Sequence, residues 1–128
     1  MTIRETVLSF ADTAVLKRGH LGRNPIGFLL LAMMAGAYVG LGILLIFSVG
    51  QGVDPAFRPV VMGGSFGIAL ILVVFAGSEL FTGHSMYMTH GLLAKRTTLK
   101  DLLLCWAGSW TGNLVGAIAL GLLFVYGG

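Results

Sequence analysis

From Pro59 to Ala94 the chain carries one acidic or basic side chain, Glu79. As a single helix those 36 residues, at about 1.5 Å each, would be roughly 54 Å long. The hydrocarbon core of a bilayer is only about 30 Å thick. Such a helix must tilt steeply, protrude or break, and Gly77 and Gly83, bracketing Ser78-Glu79-Leu80-Phe81-Thr82, mark where it breaks. Non-helical backbone at membrane depth is tolerated only where protein buries it or where it lines a wet cavity. The stretch therefore reads as the working part of a pore.

The rest of the composition agrees with a membrane setting. Hydrophobic residues make up 56% of the chain and charged residues 10%, with mean hydropathy +0.93, whereas soluble domains carry about 25% charged residues. This is an integral, all-α transmembrane protein. The net charge of +3 sits in short clusters at span ends, so it points to orientation and not to nucleic acid. Cys105, the single cysteine, lies in an apolar run and has no partner for an internal disulfide. The first apolar segment is too long for a signal-peptide core, so no cleavable signal is expected.

Residues 1–23 read as a cytoplasmic interfacial helix ending in a basic hinge at Gly19–Arg23. Thr2 and Glu5 have capping-box spacing, and Ile3, Val7, Phe10 and Ala14 form one apolar stripe. Such a helix serves as an anchor, as a subunit contact or as a gate. Residues 24–128 form the membrane domain. Asn24 caps and Pro25 opens a first span to about Val49. A second span follows at 59–76, continuing at 84–94 after the 77–83 loop, and a third at 99–126 opens on the capping pair Thr98 and Asp101. Gly36 and Gly40 allow close helix approach in the first span. Gly108, Gly112 and Gly116 repeat every four residues in the third, a stronger packing signal. Asn113 lies beside that face, placed to bond another helix or to reach a pore.

Lys17, Arg18 and Arg23 precede the first span, and Lys95, Arg96 and Lys100 separate the second from the third. The intervening loop has only Arg58, offset by Asp54. By the positive-inside rule the N-terminus of this multi-pass protein is cytoplasmic, and an inner-membrane location is expected. Three spans leave the two ends on opposite faces, so a duplicated unit would be inverted, with its site at the midplane between two broken helices.

Within the break, Glu79 is costly in hydrocarbon unless paired, hydrated or protonated. A free negative charge would also repel an anion. A structural role, accepting backbone N–H bonds that hold the loop, is favoured over substrate contact, with Ser78 serving the same loop. Leu80 and Phe81 either pack ordinarily or form an apolar collar. Thr82 either bonds its own helix or offers an uncharged donor to a permeating ion. His84 is a possible relay, but with His90 and Glu79 it matches no metal-ligand spacing. Neither a nucleotide loop nor a catalytic triad is present, so neither an enzyme nor a cofactor is indicated.

Gly77-Ser78-Glu79-Leu80-Phe81-Thr82-Gly83-His84 resembles the hallmark loop of the formate/nitrite transporter family. Ala35-Gly36-Ala37-Tyr38-Val39-Gly40-Leu41-Gly42 and Gly112-Asn113-Leu114-Val115-Gly116 are similar to its first and third spans. Asp54 to Gly63 is similar to its nitrite-channel branch. The resemblance covers the chain from Asn24 onward. It implies an aquaporin-like fold of six spans in two inverted halves, a homopentamer, and a pore in each subunit for small monovalent anions such as nitrite or formate. It also implies that Leu80 and Phe81, with Leu70 nearby, narrow the cytoplasmic side. Phe66 would correspond to the outer constriction, and Thr82 would bond the anion or a central histidine. That histidine and a vestibule lysine belong to the second half of the family pattern. The chain is therefore expected to be an N-terminal half. It would act either as part of an anion channel or as a non-conducting truncated or nascent fragment, held by lipid or by membrane-insertion machinery.

Overall fold

The computed structural model describes residues 2–127 and consists of five helices. They are α1 (Ile3–Arg23), α2 (Pro25–Gln51), α3 (Arg58–Phe75), α4 (Phe81–Leu93) and α5 (Leu99–Tyr126). Three of them, α2, α3 and α5, are long and apolar enough to cross a membrane.

Local chemistry sets the boundaries. Thr2 and Glu5 form a full capping box at the start of α1, and Thr98 and Asp101 form another at the start of α5. The turn between α1 and α2 is one residue long: Asn24 accepts from the Gly27 N–H at 2.9 Å, and Pro25 takes the first helical position. The basic segment expected to be a hinge, Gly19–Arg23, is instead the last turn of α1. The helical hydrogen bonding runs on to its end, where the Asn24 N–H donates to His20 O at 2.9 Å.

The break is also shorter than the 77–83 loop expected from the glycines. Helix α3 ends on Ala76, Gly77 takes φ +62°, and Phe81 already opens α4. Gly83 is ordinary helix in the first turn of α4, so only Gly77 uses the conformational freedom of glycine. The Gly77 N–H donates to Val74 O at 3.1 Å and the Ser78 N–H to Val73 O at 3.0 Å. This is a Schellman ending.

Helix α2 is the hub, packing against α5 and α3, while α4 is held between α1 and α5. The α2–α5 crossing depends on missing side chains. A Cβ on Gly36 would strike the Asn113 carbonyl, and one on Gly116 would strike the Met33 carbonyl. Gly112 rests against Ala32, Gly108 against Phe28 and Gly40 against Leu120. At the α1 end, Ala14, Met88, Leu102 and Cys105 form a buried cluster joining α1, α4 and α5. Phe47, Val60, Ile71, Phe75, Ile118 and Phe124 point outward. An exposed apolar surface of this extent suits lipid and not water.

Gly77→Ala is expected to lower stability by about 1–2 kcal/mol, the cost of left-handed backbone for an L-residue. Gly63→Ala, where an added Cβ meets open space, should leave stability unchanged or slightly raised. Unfolding of both variants in maltoside micelles, followed by circular dichroism, checks the pair. Equal behaviour would show that Gly77 is not the conformational stop.

Candidate functional site

The five residues from Ala76 to Leu80 leave the helical path, and the structure satisfies their backbone from the neighbouring helices. The Glu79 N–H donates to Leu31 O of α2 at 3.2 Å. Asn113, near the midpoint of α5, does the rest. Its Oδ1 accepts from the Phe81 N–H at 2.9 Å, while its Nδ2 donates to Glu79 O at 3.0 Å and to Ala32 O at 2.8 Å. Only this amide orientation fits one donor and two acceptors. A single side chain thus ties the break to both α2 and α5.

Glu79 is 2% exposed, and its side chain is held differently from the sequence-based expectation. Its carboxylate is bonded by side chains and not by backbone N–H groups. Lys17 Nζ of α1 reaches Oε2 at 2.6 Å, His84 Nε2 of α4 reaches the same oxygen at 3.0 Å, and His20 Nδ1 of α1 lies 3.1 Å from Oε1. The loop backbone is already served by Leu31 and Asn113, which frees the carboxylate for the helix above it. Lys17 and His20 lie three residues apart and so share one helix face. The amphipathic spacing of α1 shows that face, but nothing in the sequence names Glu79 as its target. Two further ion pairs strap α1 down: Arg18 to Asp101 at 2.7 Å and Asp12 to Arg96 at 3.4 Å.

His84 is 1% exposed. Its ring packs edge-on to Phe28 with centroids 5.2 Å apart, and its Nδ1 is buried without a partner among the described residues. Trp106 Nε1 donates to the His84 carbonyl at 3.3 Å. His90 is engaged locally, with Nδ1 2.7 Å from Met86 O. Ser78 Oγ, also buried, has no partner among the described residues. No group of three or more His, Cys, Asp or Glu side chains there is placed to hold a metal ion.

Two cavities flank the break. One, of about 460 Å³, opens towards α1 and is lined by Lys17, Leu70, Ser78, Glu79 and His84, among others. The other, of about 300 Å³, lies between α2 and α5 and is lined by Gly36, Phe81, Trp110 and Asn113, among others. Leu80 and Thr82 line both. The structure therefore brings Leu70, Leu80 and Thr82 together on one side, and Leu80, Phe81 and Thr82 on the other. Phe81 also packs edge-on to Trp106 at 6.0 Å. Phe66 lines neither cavity; it sits at the α2–α3 crossing beside Gly42. Ser85 and Thr89 turn their hydroxyls back onto carbonyls of their own helix, at 3.0 and 2.7 Å. Thr82 makes no such bond among the described residues, because the carbonyl four residues back belongs to the non-helical Ser78.

Fold and site together define a multi-pass membrane protein built around an interrupted helix. Residues 4–128 match the family model described as formate/nitrite transporter. The chain is similar to the nitrite transporter NirC of Escherichia coli (51% identity over 105 residues, 82% of this chain and 39% of that protein). It is also similar to a probable formate transporter of Methanothermobacter thermautotrophicus (45% over 102 residues, 75% of this chain and 37% of that protein). Among solved structures, an FNT family ion channel superposes with a TM-score of 0.92 at 46% identity, over 98% of this chain and 50% of that one. The chain belongs to the formate/nitrite transporter family. It spans about two fifths of the length of these curated relatives.

Asn113→Leu is expected to leave the Phe81 N–H and the Glu79 carbonyl unpaired and to cost about 2 kcal/mol. Hydrogen exchange should then rise sharply at the Phe81 amide while the α1–α4 contact stays protected. Unchanged protection at Phe81 would show that the break holds its shape without Asn113.

Proposed function

We propose that this chain forms part of the pore of a channel or transporter for small monovalent anions, nitrite foremost and formate-like anions next. The observation that carries this reading is the placement of Leu80 and Thr82, a residue pair that lines both cavities at the break. The similarity to NirC supports nitrite over larger anions.

The chemistry of this shared lining suits such ions. Leu80, with Leu70 and Phe81 beside it, strips water and discourages passage of a bare, strongly hydrated ion. Helix α4 begins without a side-chain cap at Leu80. Asn113 takes the Phe81 N–H, which leaves the N–H groups of Thr82 and Gly83 as orphan donors at the positive end of the helix. The Thr82 hydroxyl adds an uncharged donor. Weak, neutral donors let an anion bind and leave, as conduction requires. Lys17 beside Glu79 cancels the charge that would otherwise repel the anion.

Leu70 and Thr82 are exposed, so both cavities are open on one side and need a facing wall. We assign that wall to an inverted second half in a six-span, pentameric assembly, with Phe66 at the outer constriction and His84 as a possible relay. The N-terminus is assigned to the cytoplasmic side of the inner membrane, from the clustering of Lys17, Arg18, Arg23, Lys95, Arg96 and Lys100. The open wall also favours a second reading, in which this chain by itself is a membrane segment that does not conduct.

Flux separates the readings. The purified chain alone in liposomes is expected not to take up nitrite. Co-expression with the complementary remainder of the E. coli NirC chain should restore uptake. In that complex Thr82→Val should slow nitrite flux, while Phe81→Ala should admit larger anions. Full activity of the chain alone would remove the need for a facing wall. Unchanged flux and selectivity in both variants would move the filter off this loop. Orientation is tested by single-cysteine labelling in a Cys105→Ser background: a cysteine at Thr97 should react only from the cytoplasm, and labelling from outside would reverse the assignment.

A further inference from the structure

At the end of α2 remote from α1, about 40 Å along the helix, a separate cavity of about 410 Å³ is lined by Phe47, Gly50, Gln51, Arg58 and Met62. Its polar and apolar residues are sorted by depth. Gln51 is the last residue of α2 and Arg58 the first of α3, so both stand at the ends of candidate membrane spans. Phe47 and Met62 each lie four residues further into their helices, about 6 Å deeper at the helical rise. The result is a polar rim above an apolar floor.

Arg58 is held ready. Its stem lies beside Gly50 of α2, whose missing Cβ makes room for the Met62 sulfur on the cavity floor. Its Nη2 donates to Val53 O at 3.3 Å, which leaves most of the guanidinium's donors unused. None of the ion pairs formed among the described residues includes it. Asp54, one turn earlier, has turned its Oδ1 to the Ala56 N–H at 2.9 Å. A pinned arginine without a carboxylate is suited to bidentate recognition of a phosphate.

We propose that this cavity is a phospholipid site, in which Arg58 and Gln51 hold the phosphodiester of a lipid headgroup and Phe47 and Met62 cover the glycerol and the start of an acyl chain. The depth gradient favours a lipid over a soluble anion, because a small ion would use the rim and leave the apolar floor empty. The site stands apart from the break and does not depend on the anion-channel reading.

The test uses the isotope-labelled chain in maltoside micelles, which contain no phosphate, titrated with the short-chain lipid dihexanoyl phosphatidylcholine. Saturable NMR shifts are expected at the Arg58 Nε–H and the Gln51 side-chain amide, with the Phe81 amide unmoved as a check that the fold persists. Inorganic phosphate and nitrite at the same concentrations should not produce them. Arg58→Gln should weaken the Gln51 response about tenfold, the loss of one charge-assisted hydrogen bond. Arg58→Lys, which keeps the charge but not the fork, should fall between. Shifts that do not saturate, equal shifts with phosphate or nitrite, or an undiminished response in both arginine variants would overturn the proposal.

Discussion

A carboxylate within a membrane-spanning segment costs on the order of 3 kcal/mol on insertion scales unless something answers its charge. Much of this structure answers Glu79. Lys17 and His20 descend from α1 and His84 approaches from α4, so one buried group determines where the N-terminal helix lies. Once Lys17 is committed, its neighbour Arg18 points towards Asp101, and Asp12, one turn and a half earlier, meets Arg96. The exposed pairs add little on their own. The buried one matters because removing Lys17 would leave a carboxylate that is only 2% exposed with two histidines alone to answer it.

The break needs a second support, since five residues of backbone have left the helical pattern inside an apolar environment. Asn113 supplies it, and the glycines make its reach possible. Gly36 faces the Asn113 carbonyl and Gly116 faces that of Met33. A methyl group at either place would push α5 away from α2 and carry the carboxamide out of range of Ala32 O. Close packing by small residues and hydrogen bonding by one amide are therefore a single device, in a solvent that offers no substitute partner.

The fold was largely legible because membrane length is a hard constraint. A run with a single charge, too long for the bilayer and with Gly77 inside it, implies a broken helix, and the capping pairs Thr2–Glu5 and Thr98–Asp101 set helix starts that the structure reproduces. The exact extent of the break was not legible. Gly77 and Gly83 look alike in sequence, yet only Gly77 has positive φ; the Asn113 bond to the Phe81 N–H lets α4 start before Gly83. The partners of Glu79 were not legible either. Lys17 reads naturally as a topological charge and His84 as an interfacial ring, because pairing over 62 residues of separation leaves no local signature. His20 gives even less signal, since it sits in a segment that composition marks as a basic hinge.

On the proposed pore reading, the arrangement separates charge from passage. The half-buried Lys17 and the buried Glu79 neutralise one another at the edge of the α1-side cavity. The residues common to both cavities are an uncharged aliphatic and an uncharged hydroxyl, Leu80 and Thr82. A fixed cation at the narrow point would bind a small anion tightly and slow its release, while a fixed anion would exclude it. Placing the charge pair to one side keeps the break rigid without leaving a net field on the shared residues. On the proposed reading, the positive end of α4 and the Thr82 hydroxyl are left as the attractive groups at the break, each weak enough to release a small anion. Rigidity and weak binding are conflicting demands on one short segment, and here they fall on different atoms: the Glu79 carboxylate and its own backbone secure the turn, while the next residues along the chain face the cavities.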